Sequence, residues 1–66
     1  IRIAVRVDLK SPIGIWAAGS RAGSEAEITA RLQSVELDLS ALDAVDRITL
    51  FTLYSMMVER SQRHAA

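Results

Sequence analysis

The sequence predicts an α+β domain: an N-terminal β-hairpin packed on two helices, the C-terminal one long and apolar, with residues 35–39 as a candidate third short strand. Three observations lead there. Residues 1–9 alternate strictly, with a large aliphatic residue at every odd position, the period of a half-buried strand. Residues 41–66 contain neither glycine nor proline, as an uninterrupted helix requires. Within them, the eleven residues from Ile48 to Val58 carry no charge. That run is shorter than the roughly 20 residues needed to span a bilayer, yet apolar on so many sides that protein must cover more than one of them.

In the first strand Ile1, Ile3, Val5, Val7 and Leu9 share one face, and Arg2, Ala4, Arg6 and Asp8 the other. Pro12 ends the pattern because it has no amide hydrogen and forces Ser11 towards extended geometry. The next apolar run, Ile13 to Ala18, reads as the return strand of the hairpin, with Gly14 marking a bulge. Gly19 to Gly23 is a flexible connection, and Ser24 with Glu27 three residues later forms a capping box. A helix is expected from there to about Ser34, with Ile28, Leu32 and Val35 on one face.

Val35 to Leu39 alternates again and suits a short strand or an extended connection. Ser40 and Asp43 then launch the long helix, Ser40 to His64. Asp43 and Asp46 lie near its positive end, Arg60, Arg63 and His64 near its negative end, and Glu59 pairs with Arg63 at i,i+4. A rival reading makes Ile48 to Tyr54 a strand, since those residue types favour one. The Ser40 cap, the absence of Gly and Pro, and the helix formers Met56, Met57, Glu59 and Arg60 decide for helix.

Sixty-six residues make one small domain that buries only about 60% of the surface its unfolded chain exposes. Beginning on Ile1 and not on Met, the sequence also fits a fragment of a longer chain. There is no cysteine and one histidine, His64, so neither a disulfide nor a structural zinc site is expected to staple the fold. Association with another chain is the staple that remains. Trp16, Phe51 and Tyr54 are the only aromatic residues, so aliphatic side chains must build the core.

Charge balances to zero but comes in blocks. Arg2, Arg6, Lys10 and Arg21 dominate the first third. Six acids face Arg31 alone between Glu25 and Asp46, and Arg47, Arg60 and Arg63 outnumber Glu59 after that. A neutral chain lacks the broad positive field of a dedicated nucleic-acid binder. With no legible targeting segment or membrane span, the expected compartment is the cytoplasm.

Two local patterns stand as candidate ligand sites. Gly19, Ser20, Arg21, Gly23 and Ser24, placed before a helix start, have the ingredients of an anion loop, though without the lysine and spacing of a P-loop. Arg2, Arg6 and Lys10 share the exposed face of the first strand, as in proteins that lay a strand in the major groove. No catalytic, cofactor-binding or metal-ligating set emerges. The serines serve caps and loops, and Glu36, Asp38, Asp43 and Asp46 are explained by solvation and capping. Phe51-Thr52-Leu53-Tyr54-Ser55-Met56 resembles a helix of the molybdenum-cofactor biosynthesis C proteins, whose pattern has Asp where Ser55 stands here. The resemblance spans six residues, comes without that family's other motifs, and carries no site over.

The function these patterns favour is a small interaction or oligomerisation module, an accessory subunit or regulatory domain that holds a second copy or another protein. Its expected contacts are Val45, Ile48, Leu50, Leu53, Tyr54, Met56 and Met57 on the long helix, in two stripes of which the domain covers one. The alternatives are a DNA-binding regulator using the basic strand, and an enzyme subunit with an inter-chain site at the Gly19–Gly23 loop.

Overall fold

The alternation at the N-terminus does form a strand, β1 (Ala4–Asp8), in the computed structural model, which describes residues 1–29 and 31–65. After it come α1 (Pro12–Ala18), β2 (Gly23–Glu27), β3 (Ser34–Asp38), a 3-10 turn (Leu39–Ala41) and α2 (Ala44–Ala65). The strands make one antiparallel sheet in the order β1-β3-β2. Because β1 and β2 both run against β3, they are parallel to each other, joined through α1, with β3 inserted between them. This is a split β-α-β arrangement.

The α+β class, the two helices and the long C-terminal helix are as expected, but two middle segments exchange roles. Ile13 to Ala18 is not the return strand of a hairpin; it lies in α1. Ser11 caps that helix, its Oγ accepting from the Gly14 amide at 3.0 Å, and Pro12 occupies the first turn, where a missing amide hydrogen costs nothing. Ser24 to Glu27 does not start a helix. Those residues belong to β2, where the Ser24 hydroxyl donates to the Glu36 carbonyl at 3.2 Å instead of capping. The expected helix also ran through Ala30, which lies outside the described residues.

Pairing sets the two faces of the sheet. Val5 stands opposite Leu37, while Val7 and Ala26 both stand opposite Val35. Val35 and Leu37 are almost completely enclosed and form the core with Ile13, Ala17, Ala22 and Leu42. Central strands bury both neighbours' apolar faces and edge strands do not. Accordingly Val7 and Leu9 are half-buried, whereas Ile3 and Val5 on the β1 edge stay exposed, Val5 at 43%. The expectation that the whole Ile/Val face of β1 is buried holds only for its second half.

Glycine allows α1 to lie close against the strands. A Cβ at Gly14 would stand 1.8 Å from the Asp8 carbonyl oxygen, and one at Gly23 would stand 2.0 Å from that of Ala17. Neither is a separation that atoms can occupy, so any larger residue must push the helix away.

The long helix begins at Ala44, not at Ser40. Asp43 is its cap: a carboxylate oxygen accepts from the Asp46 amide at 2.8 Å, and its carbonyl from the Arg47 amide at 3.0 Å. Ser40 sits in the preceding 3-10 turn, where its amide and hydroxyl donate to Asp38. Ile48 to Tyr54 is helical, which closes the strand alternative. No helix among the described residues is long and apolar enough to cross a membrane.

Candidate functional site: the uncovered face of the long helix

At about 1.5 Å per residue, the 22 residues of α2 extend roughly 33 Å, against about 10 Å for the seven residues of α1. α1 lies across the apolar face of the sheet and α2 lies against α1, so the short helix can support only part of the long one. The support falls on one stripe: Leu50, Leu53 and Met57 pack against the core. Turning away from it are Val45, Ile48, Phe51, Tyr54, Met56 and Val58, all exposed. Phe51 keeps 72% of its surface in water and Ile48 68%.

The seven residues expected at an interface therefore divide. Leu50, Leu53 and Met57 belong to the domain's own core, and Val45, Ile48, Tyr54 and Met56 remain uncovered. Sequence reading passed over Phe51 and Val58. Their signal was available, since at about 3.6 residues per turn both point away from the Leu50/Leu53/Met57 stripe. What was lacking was knowledge of which stripe faces α1.

The polar face of the sheet accounts for the basic strand. Arg2 reaches Glu36 and Ser24 through Nη2, and its Nε lies 3.5 Å from Asp38. Arg6 Nη1 lies 2.8 Å from Glu27 and donates to Ser34 Oγ at 3.1 Å. Charge blocks that are separate along the chain thus meet across the sheet, where exposed pairs contribute about 0–1 kcal/mol each but neutralise one another's field. Lys10 sits in the turn after β1, its amide donating to Asp8. Arg2 and Arg6 do not present the unpaired cations that a phosphate backbone recruits.

Nor does the glycine-rich loop open towards a ligand. It runs from the end of α1 into a strand, so the helix N-terminus that would have supplied anion-binding amides does not exist there. The amides of Gly19, Ser20 and Gly23 donate to the carbonyls of Trp16, Ala17 and Ser20, and that of Ala22 to Ser20 Oγ. Arg21 is exposed, and Ser24 is engaged on the sheet by Arg2 and Glu36.

The one clear electrostatic perturbation among the described residues is structural. The Asp38 carboxyl is held below its ordinary value chiefly by the hydrogen bond from the Ser40 hydroxyl at 2.6 Å, helped by the Ser40 amide and the nearby Arg2 charge. These contacts tie β3 to the turn that leads into α2. No group of three potential metal ligands comes together among the described residues. No family model matches the chain, and neither does any curated protein or solved structure.

Proposed function

We propose that the chain is a protein–protein interaction and oligomerisation module, working as an accessory subunit or regulatory domain through the outward face of α2. One observation carries this reading: Val45, Ile48, Phe51, Tyr54, Met56 and Val58 lie open along a helix about three times as long as the one supporting it. A contiguous apolar face of that kind marks an association surface more often than a solvated one. The core behind it is small, six enclosed apolar residues among those described, of which two are alanine. Burying each further large apolar side chain would add roughly 1.5–3 kcal/mol to a domain of this marginal size.

The test is the mass of the particle in solution at low micromolar concentration, by sedimentation, together with its unfolding transition. Association into a particle of more than one chain, with a melting temperature that rises with concentration, is expected. A cooperatively folded particle of one chain's mass would sink the self-association on which this reading leans.

A further inference from the structure

Taking α2 as an association surface, we infer that its occupant is a second copy of this chain, with the two helices antiparallel about a two-fold axis level with Leu53 and Phe51 of each protomer seated on the partner's Ser55. On the side opposite the core stripe, Ala44, Ile48, Phe51, Ser55, Val58 and Gln62 follow alternate spacings of four and three. That is the seam of a helix pair. Its large members are open, Val58 at 37% and Ile48 and Phe51 far more.

Side-chain size selects the direction. Run antiparallel, the seam sets Ile48 against the partner's Val58 and Phe51 against the partner's Ser55, a large side chain over a small one in two symmetric places. Run parallel, it sets Phe51 against its own copy and Ser55 against its own copy, crowding one layer and leaving a void in the next. Interiors pack to crystal-like density and tolerate neither defect well.

Charge selects the same direction. Asp46 and Arg60 continue the Leu50/Leu53/Met57 stripe, so the charged residues flanking the seam are Arg47 near its start and Glu59 near its end. Antiparallel helices set each Arg47 level with the partner's Glu59 and oppose the helix dipoles, whereas parallel ones set like charges level. Ile48, Phe51 and Val58, at on the order of 100 Å² each, give the seam an apolar centre of roughly 300 Å² per chain, and polar neighbours must supply the rest of the ~800 Å² per partner of a standard interface. The contact uses the same patch on both copies and so closes at two chains.

Since the chain has no cysteine, single thiols report the geometry without background. Ile48→Cys and Val58→Cys, both at exposed positions, are made as separate chains, one mass-tagged, then mixed and oxidised in a glutathione redox buffer. Circular dichroism first confirms that each folds. The expected product is a disulfide joining one chain of each kind, with loss of both like-with-like products. Like pairs alone, a statistical mixture, or no cross-link in a particle of two chains' mass would overturn the antiparallel pairing while leaving the association module standing. A particle of one chain's mass would overturn both.

Discussion

Ala17 in α1 is completely enclosed, whereas Phe51 in α2 keeps 72% of its surface in water. The two helices share one short chain and differ in how they meet their neighbours. α1 is pressed onto the sheet so closely that Gly14 and Gly23 have no room for a methyl group. α2 touches the core with Leu50, Leu53 and Met57 and carries Val45, Ile48, Phe51, Tyr54, Met56 and Val58 into solvent. A helix of seven residues is too short to be stable alone and exists because the sheet holds it, while one of 22 residues has enough internal hydrogen bonding to extend past its support. Substitutions in the first region should register as lost folding, and substitutions on the outward face of the second as lost association.

The largest effect is expected at the centre of the sheet. Leu37→Ala removes an enclosed side chain and should destabilise the fold by about 2–5 kcal/mol, and Gly14→Ala, which forces α1 away from Asp8, by about 1–3 kcal/mol or more. Chemical denaturation at fixed protein concentration measures both. If Gly14→Ala melts like the parent chain, the close seating of α1 is wrong.

The outward face should behave differently. Phe51→Ser is expected to keep the helical signal but weaken self-association by about 2 kcal/mol, roughly thirtyfold in Kd, as for a central aromatic anchor. Ser55→Phe should weaken it as well by overfilling the same layer. Combining them exchanges large and small across the antiparallel pair and should restore much of the affinity, which a dilution series in the ultracentrifuge would read. Loss of folding in Phe51→Ser would erase the contrast between the helices.

Smaller effects come from the joints between the regions. Asp43→Ala removes the cap of α2 and should cost about 1 kcal/mol, seen as a lowered melting temperature with no change in subunit number. At Asp38 the folded chain favours the carboxylate. Its contribution to stability is therefore complete above the unfolded carboxyl value near 4 and is lost as pH falls through the lower folded value. Ser40→Ala should move the Asp38 titration upward, because the hydroxyl is the main group holding it down; an NMR titration that left it unmoved would refute this assignment.

Legibility in the sequence followed the length and strength of the local signal. The alternation of β1 and β3 and the unbroken helical composition after Ala41 were plain, and with them the α+β class. Ile13–Ala18 and Ser24–Glu27 were assigned the wrong way round. Ser11-Pro12 is a serine cap with proline in the first turn, a helix signal outweighed by the apolar run behind it. At Ser24 the capping box was real chemistry that lost to the ladder of β3, where the hydroxyl and Glu27 found partners across the sheet.

What the sequence by itself determined is the set of periodicities: a strand with an apolar and a basic face, a long helix with apolar groups on several sides, and blocks of opposite charge. Tertiary structure decided everything that depends on which surfaces meet. It placed β3 between β1 and β2, brought Glu27, Glu36 and Asp38 to Arg2 and Arg6, and chose Leu50, Leu53 and Met57 as the stripe facing inward. The reason is physical: short segments lack the local free energy to select their own conformation, and the faces of an evenly greasy helix differ only once a neighbour has covered one of them.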